Sequence, residues 1–182
     1  MSKPTSTQIG AIAENLVANA LMLESGGRLS PFIAMADDDG IDLLVYDKES
    51  GRALPVQVKS RTVTLKKKGS QERGNVVHFE LRTATYRIER FAAVVLVLLG
   101  QEAYAIERSW VIPMREFQGL ARASATKLVV RPNRGETSSD RFREYRCSAP
   151  KQLYERVLEE IMRLPVSTDL TTAEAAVIGA NA

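Results

Sequence analysis

The chain has 182 residues, of which 45% are hydrophobic and 26% are charged, and this composition is typical of a globular protein with a hydrophobic core. With one cysteine and one histidine, the chain can form neither an internal disulfide nor a Cys/His zinc site. The longest apolar run, residues 91–99, is too short to cross a bilayer of about 30 Å, and the N-terminus lacks the apolar run of a signal peptide. We therefore expect a cytoplasmic protein with no membrane segment.

The formal net charge is only +3, but charge is distributed unevenly along the chain. Residues 37–49 contain six acidic side chains and one lysine, whereas residues 59–73 contain six basic side chains and one glutamate. An acidic cluster followed by a basic run fits a cation site beside a phosphate-binding surface. Two solvated loops of opposite sign would give the same pattern, and for Lys66, Lys67 and Lys68 taken alone both interpretations stay open.

The first predicted element is an amphipathic helix over residues 8–25. Its apolar residues recur every three to four positions, Ser6 or Thr7 can cap its start, and the glycine pair that follows can end it. Glu14 lies at the edge of the apolar stripe, which draws its carboxylate partly towards the protein. Three interpretations of Glu14 are open: it has a functional role, it pairs with a basic side chain, or it simply lies at the border of the apolar stripe.

Strands dominate the middle of the chain. Residues 41–46 and 54–60 are β-rich and are joined by a polar turn, which predicts a hairpin. Alternation over residues 76–82 predicts a third, half-buried strand. The unbroken apolar run at residues 92–99 predicts a central strand covered on both faces, and a short helix is expected over residues 83–91 before it.

The later part of the chain adds C-terminal strands and a closing helix. The predicted elements there are strands at residues 103–107 and 127–131 and helices at residues 114–122 and 150–164. The stretch from residue 165 onwards has no lysine or arginine and few large apolar residues, which predicts a disordered tail over residues 165–182. The order of elements predicts an α/β fold around one mixed central sheet flanked by helices, with a single domain at residues 1–164.

The residues that point to a chemistry lie on the first two predicted strands. Asp42 begins one strand, and fifteen residues later the next strand carries Gln57, Val58 and Lys59. Gln57 and Lys59 project to the same face of a strand, while Val56 and Val58 project to the other. A carboxylate, an amide oxygen and an ammonium at the ends of paired strands can hold a hard cation and a water beside a phosphate. The pattern indicates nuclease chemistry.

With Glu14 on the first helix, Gly40-Ile41-Asp42 on one strand and Gln57-Val58-Lys59 on its partner, the chain resembles the PD-(D/E)xK nuclease superfamily. That group includes restriction endonucleases, Holliday-junction resolvases and repair nucleases, and the resemblance covers residues 8–107. It implies a restriction-endonuclease-like fold with an αβββαβ core. It also implies a metal-dependent endonuclease that hydrolyses DNA in repair, restriction or mobile-element processes. A homodimer is expected, because symmetric cutting of a duplex needs two sites related by a two-fold axis.

The resemblance implies a role for each of these residues. Asp42 would be the central ligand of Mg²⁺ or Mn²⁺, and Gln57, where the family most often has Glu, would bind the ion through its side-chain oxygen. The backbone carbonyl of Val58 would be a further ligand. Glu14 would bind the metal through water or orient the nucleophile, and Lys59 would assist the attacking water.

The glutamine at position 57 leaves a second interpretation open. Because Gln57 lacks the negative charge of a glutamate, the site would depend on DNA phosphate, on Glu14 or on Asp39 to complete the ligands of the ion. The alternative is a catalytically weak or inactive module with the same fold that binds nucleic acid or docks a partner. Cleavage of structured RNA is also left open.

Two basic stretches are candidates for contacts with nucleic acid. The candidate residues are Arg61, Lys66, Lys67, Lys68, Arg141 and Arg143. In residues 131–146, arginines alternate with Phe142 and Tyr145, so these arginines either clasp a duplex backbone or face water above a packed aromatic ring. His78 and Cys147 lie in no nucleophile motif, and we expect an exposed, idle histidine and an inert cysteine.

Overall fold

The structure is a computed structural model that describes residues 3–35 and 39–165 of the chain. Its helices are α1 (Ser6–Glu24), α2 (Met114–Leu120) and α3 (Pro150–Met162). Its strands are β1 (Leu29–Ile33), β2 (Leu43–Asp47), β3 (Ala53–Arg61), β4 (Phe79–Arg82), β5 (Ala93–Leu99), β6 (Ile106–Pro113), β7 (Arg122–Ala123), β8 (Lys127–Val130) and β9 (Arg146–Cys147). The predicted tail, apart from residue 165, and the first two acids of the acidic cluster lie outside the described residues.

Six of these strands form a mixed sheet in the order β1-β2-β3-β5-β6-β9. β3 and β5 run parallel, and the other neighbouring strands in this sheet are antiparallel. The remaining three strands form a small antiparallel sheet in the order β4-β8-β7. The predicted α/β class, with a mixed central sheet flanked by helices and further C-terminal elements, is confirmed.

The central sheet separates two hydrophobic cores. α1 and α3 pack on one face, and the small sheet and α2 pack on the other. Every residue of β5 is buried, with Val95 and Val97 in the first core and Leu96 and Leu98 in the second, which confirms the predicted central strand. No helix in the described part of the chain is long and apolar enough to span a membrane.

The start of α1 is fixed by a capping box. The Thr5 hydroxyl accepts a hydrogen bond from the Gln8 backbone, and the Gln8 side chain accepts one from the Thr5 backbone, so the cap is Thr5 and not Ser6 or Thr7 as expected. The predicted apolar stripe packs on the sheet. Glu14 is half-buried at the border of that stripe.

Several predicted elements are wrong in place or type. β1 was missed because it is short and contains a proline, which weakens the strand pattern. The predicted third strand begins at Phe79 and belongs to the small sheet, so the expectation of a single sheet is wrong. The predicted strand at residues 103–107 begins at Ile106 and continues to Pro113.

The connection from β3 to β5 lacks the predicted α-helix. Parallel neighbours need a long crossover, and residues 62–92 supply it with a hairpin, β4 and a single 3₁₀ turn at Thr83–Thr85. The Tyr86 hydroxyl donates a hydrogen bond to the Met114 carbonyl at 2.7 Å, and Arg90 contacts Asp39. These tertiary contacts hold the segment in short turns where local propensity favours an α-helix.

The turn between β2 and β3 is anchored by an ion pair between the buried Asp47 carboxylate and the partly exposed Arg28. Arg28 donates two hydrogen bonds to the Asp47 carboxylate, at 2.7 and 2.9 Å, and the Ser50 hydroxyl donates a third at 2.6 Å. The hydrogen bonds from Arg28 hold the pKa of Asp47 well below its usual range, against the effect of burial. The pair fixes the end of the hairpin opposite to the one that carries Asp42.

Candidate active site

The candidate site lies where β2 and β3 begin to separate. Asp42 directly precedes β2, and its backbone N–H donates to the Val56 carbonyl at 3.0 Å. The Oδ2 atom of the Asp42 carboxylate accepts a hydrogen bond from the Val58 backbone N–H at 2.6 Å. Asp42 is only 7% exposed. Two backbone groups of β3 therefore fix the position of this acid.

Gln57 and Lys59 lie on the face of β3 opposite to Val56 and Val58, as the alternation predicted. The two valines belong to the core under α1 and α3. The Lys59 ammonium lies 3.9 Å from Asp42 Oδ2, which is beyond hydrogen-bond distance. Gln57 is buried, with 2% of its surface exposed, and its Oε1 atom accepts no hydrogen bond from any described residue. A buried acceptor without a donor is costly, and a cation would satisfy it.

The Val58 carbonyl is directed towards Asp42 by strand alternation. In a strand, the carbonyls of residues two apart point to the same side. The Val56 carbonyl accepts from Asp42 and so points towards β2, and the Val58 carbonyl shares that direction. Beyond Asp42 the two strands no longer pair, so this carbonyl does not belong to the β2–β3 ladder.

These groups open onto a cleft of about 530 Å³ between α1 and β3. Glu14 lines one wall, Lys59 and Arg61 line the other, and Asp42 and Val58 lie between them. The structure therefore brings four of the five predicted site residues to one cleft. Gln57, the fifth, does not line the cleft but is buried beside it.

Gly40 makes room for Gln57. It has a φ of +69°, and a Cβ built on it would lie 2.8 Å from the Thr85 Cβ and 2.9 Å from the Gln57 Nε2. Such distances leave no space for any side chain, so the loop before Asp42 packs directly on Thr85 and on the glutamine. The glycine ahead of Ile41-Asp42 was a visible sequence signal for a tight turn, whereas its contact with Thr85 was not.

Asp39 does not line the cleft and is paired with Arg90. Its carboxylate lies 2.5 Å from an Arg90 Nη atom, and its carbonyl accepts a second hydrogen bond from Arg90 at 3.1 Å. A role for Asp39 in completing the ligands of the ion remains a prediction, and it would require the carboxylate to leave Arg90. A pair between residues 51 positions apart leaves no signal in the sequence.

Arg61 extends the basic wall of the cleft. Its Nε donates to the His78 carbonyl at 3.0 Å and its Nη1 donates to the Ser60 carbonyl at 2.9 Å, so the guanidinium is held in place. Ser60 and Thr62 also line the cleft. Sequence reasoning did not single out these two hydroxyl residues, although they directly follow the Gln57-Val58-Lys59 segment.

The oxygen donors at this site suit a hard cation. Glu14 and Asp42 supply carboxylates, Val58 a backbone carbonyl, and Gln57 the buried amide oxygen without a hydrogen-bond donor. Among the described residues, no group of three or more His, Cys, Asp or Glu side chains is arranged to hold a metal. An ion here would rely on two carboxylates and neutral oxygens, as Mg²⁺ does when substrate phosphates complete its ligands.

The arginines of residues 131–146 divide into structural and exposed ones. Arg146 is nearly buried and donates to three backbone carbonyls and to a carboxylate of the preceding loop, so its role is structural. Phe142 is 3% exposed and packs in the second core. Arg141 and Arg143 are exposed and do not line the cleft. The interpretation in which the Phe142 ring packs in the core is correct. A nucleic-acid role for Arg141 and Arg143 remains a prediction.

The histidine is not idle. His78 is half-buried, its Nε2 lies 3.0 Å from Glu80, and its Nδ1 accepts a hydrogen bond from Arg131 at 3.2 Å, so the expectation of an exposed histidine is wrong. Hydrogen bonds from Lys127 and then from His78 lower the pKa of Glu80 to about 2. Cys147 is 1% exposed and burial raises its pKa to about 11, which agrees with an inert thiol.

Comparisons with known proteins find similarity in fold but not in sequence families. No protein-family model matches the sequence, and no curated protein matches it. Among solved structures, the fold is similar to that of a bacterial homing endonuclease, I-Ssp6803I, with 19% sequence identity and a TM-score of 0.48. The match covers 86% of this chain and 95% of that chain.

Proposed function

We propose that the protein is a metal-dependent endonuclease that hydrolyses phosphodiester bonds in DNA, with its active site in the cleft between α1 and β3. The observation that carries the proposal is the placement of the Lys59 ammonium 3.9 Å from the Asp42 carboxylate, in a cleft that Glu14 also lines. Asp42 already accepts a hydrogen bond from the Val58 amide. Lys59 is therefore held close to the acid without a hydrogen bond to it, which suits an ammonium that acts on a substrate.

The residues that would hold Mg²⁺ or Mn²⁺ are Asp42, Gln57 through Oε1, the Val58 carbonyl and, directly or through water, Glu14. When bound, such an ion polarises the phosphate and lowers the pKa of its water. Support for Gln57 as a ligand comes from its buried oxygen, which accepts no hydrogen bond from the described residues.

The chain's own cations then act on the phosphate. Lys59 would orient the attacking water and offset the negative charge that develops on the phosphoryl oxygens in the transition state. Arg61, fixed by the His78 carbonyl, would hold a phosphate oxygen at the same wall of the cleft. Glu14, on the opposite wall, would accept a hydrogen bond from the water.

A panel of substrates tests the proposal. Supercoiled plasmid, linear duplex, branched DNA, single-stranded DNA and structured RNA are incubated with the protein in Mg²⁺, in Mn²⁺ and in EDTA. We expect nicking of at least one DNA form with either ion and none in EDTA. The same panel with Lys59→Ala should show no product, whereas Lys48→Ala, at the far end of the hairpin, should cleave normally. Absence of cleavage by the unaltered protein on every DNA form refutes the proposal.

One observation favours a second candidate, a nucleic-acid-binding or partner-docking module without turnover. Gln57 stands where an acid is expected and lies outside the cleft lining, so the site has two carboxylates where a three-acid set would bind an ion more tightly. If the protein binds DNA but cleaves none of it, this candidate replaces the first. Homodimer formation remains a prediction, and light scattering coupled to size-exclusion chromatography measures it.

A further inference from the structure

Residues 64–76 form a two-stranded antiparallel ribbon, here called the basic ribbon. At its base, the Leu65 backbone N–H donates to the Val76 carbonyl at 2.7 Å. Nearer the tip, the Lys67 N–H donates to the Glu72 carbonyl at 2.8 Å. Between these hydrogen bonds, Lys66 and Arg73 form a single antiparallel bridge, and the hairpin belongs to neither sheet.

The base of the ribbon is anchored and its tip projects into solvent. The Arg134 N–H donates to the Asn75 carbonyl at 2.9 Å, which ties the base to the segment that follows β8. At the tip, Gly69 has a φ of +75°, and a Cβ built on it would meet no atom within 4 Å. Among the described residues, the side chains of residues 66–73 make their hydrogen bonds within the ribbon itself.

The net positive charge of the basic ribbon does not stabilise the ribbon itself. It carries four basic side chains and one acidic one, so its net charge of +3 equals that of the whole chain. Lys66 and Arg73 face each other directly across the ribbon, and like charges in that position destabilise a strand pair. Only Lys67 has an acidic partner in the ribbon, Glu72 at 2.7 Å. An anionic partner would relieve this repulsion.

The basic ribbon directly follows the cleft-lining residues of β3 in the sequence. β3 carries Lys59 and Arg61, the lining of the cleft continues to Val63, and the ribbon starts at the next residue. The seven Cα–Cα steps from Lys59 to Lys66 span at most about 24 Å. That reach is shorter than one turn of B-form DNA, about 34 Å. A phosphate in the cleft and a ribbon on the same duplex are therefore compatible.

We propose that the basic ribbon enters the major groove of B-form duplex DNA beside the phosphate held in the cleft, which makes double-stranded DNA the substrate class. This inference rests on the proposed function and names the partner of the same site. The major groove of B-form DNA, about 12 Å wide, admits a two-stranded β-ribbon. The major groove of an RNA duplex is too narrow for side chains to read, and a single strand has no groove.

Lysines at the tip and arginine on the returning strand suit this groove. Lys66, Lys68 and Arg73 are exposed, and such side chains contact phosphates and the O6 and N7 acceptors of guanine. Arg131 lines an open groove of about 670 Å³ with the ribbon, which continues the basic surface towards β8. The ribbon therefore adds both affinity and a means of base recognition.

The first measurement is binding to a 30-base-pair duplex by fluorescence anisotropy at several salt concentrations, in Ca²⁺ and in EDTA, with Lys66→Gln combined with Lys68→Gln. We expect at least a tenfold loss of affinity and a decrease of about 2 in the slope of log Kd against log salt, since each lost phosphate contact removes about 0.9. The matched control, Lys48→Gln combined with Lys151→Gln, removes the same charge from exposed positions outside the ribbon and should bind within twofold of the unaltered protein.

The second measurement tests whether binding depends on an open major groove. A duplex with glucosylated 5-hydroxymethylcytosine has a filled major groove, and an RNA duplex of the same sequence has a narrow one. The unaltered protein should bind both at least tenfold more weakly than plain duplex DNA, whereas the ribbon variant should discriminate much less. Netropsin, which fills the minor groove, should leave the affinity unchanged. Circular dichroism and urea unfolding confirm that each variant is folded.

Three results overturn the inference: equal binding to plain and glucosylated DNA, equal binding to DNA and RNA duplexes, or a ribbon variant that behaves like its control. Absence of duplex binding overturns it as well. These readouts need no cleavage, so they are independent of the proposed function. Groove-dependent binding without cleavage refutes only the nuclease activity, and cleavage without groove dependence refutes only the role of the ribbon.

Discussion

The Asp42 carboxylate accepts a hydrogen bond from the backbone amide of Val58 at 2.6 Å, so an acid that precedes one strand is held by the middle residue of the Gln57-Val58-Lys59 segment on the next. The Val58 amide belongs to a strand that pairs with β2 on one side and β5 on the other. The Asp42 carboxylate is therefore held against the strand that carries Lys59 before any substrate binds. A site that is organised before the substrate binds requires less reorganisation free energy when the transition state forms.

Replacing Lys59 with alanine should abolish most cleavage and leave DNA binding nearly intact. The ammonium acts on charge that develops only during the reaction, so we expect kcat to fall by about 10²- to 10³-fold. Single-turnover cleavage of a labelled duplex measures the rate, and anisotropy in Ca²⁺ measures binding. A variant that cleaves within threefold of the unaltered protein would show that Lys59 has no catalytic role.

Replacing Gln57 with glutamate should strengthen metal binding. The added carboxylate supplies the missing negative charge, and we expect the Kd for Mn²⁺ to decrease by about tenfold, or about 1.4 kcal/mol. Electron paramagnetic resonance titration of Mn²⁺ measures this directly and does not depend on activity.

Two further measurements control the Gln57→Glu result. Without metal, the new acid would be buried beside Asp42, so the variant should unfold at a lower urea concentration than the unaltered protein. Gln57→Leu has a similar volume and no oxygen, and it should bind Mn²⁺ more weakly. If all three proteins bind Mn²⁺ equally, position 57 contributes no ligand.

Replacing Gly40 with alanine should damage the site as well as the fold. The new Cβ would collide with Thr85 and Gln57, and the positive φ adds strain of about 1–2 kcal/mol. Gly51→Ala is the matched control, because Gly51 has a φ of +68° and open space around its Cβ position. Overpacking should cost Gly40→Ala about 1–3 kcal/mol more than the control in urea unfolding.

The two glycine variants should also differ in function. Gly40→Ala should displace Gln57 and so weaken Mn²⁺ binding, while Gly51→Ala should leave the Kd for Mn²⁺ unchanged. Equal losses of stability in the two variants would mean that the contacts of Gly40 with Thr85 and Gln57 are unimportant.

Replacing Asp47 with asparagine should destabilise the protein by about 2 kcal/mol at pH 7, because the buried carboxylate loses its charge-assisted hydrogen bonds with the partly exposed Arg28. The pKa of Asp47 is lower in the folded state than in the unfolded state, where it is about 3.9. The contribution of the ionised carboxylate to stability is therefore fully present above pH 4 and is lost as the pH falls through the folded-state pKa. Urea unfolding of both proteins between pH 7 and pH 2.5 should show the difference shrinking only below pH 4. A difference that stays constant with pH contradicts this account.

Elements that depend on local pattern could be predicted from the sequence. The apolar stripe of α1, the alternation in β3 and the unbroken apolar run of β5 each dictated an element of the right type. β1 could not be predicted, because five residues with a proline form a strand only through pairing with β2. The segment before β5 is not an α-helix because Tyr86 and Arg90 are bonded to distant residues, and local propensity does not reveal such contacts.

Among the residues of the candidate site, those that depend on local pattern could also be predicted from the sequence, and the others could not. Asp42, Val58 and Lys59 lie within one hairpin, so strand period and turn length were enough to bring them together. Glu14 comes from a helix, and only the resemblance suggested that it would face the same cleft. The burial of Gln57 under Gly40 and the pairing of Asp39 with Arg90 depend on the crossover between β3 and β5, whose path the sequence does not reveal.

The burial of Cys147 makes the protein convenient for site-specific labelling. It is the chain's single cysteine, it is 1% exposed, and its raised pKa leaves little thiolate at neutral pH. A maleimide dye should therefore react selectively with a thiol introduced by Ser70→Cys, at the exposed tip of the basic ribbon. Energy transfer from that dye to one on an oligonucleotide would then report how far the tip lies from the helical axis of a bound duplex.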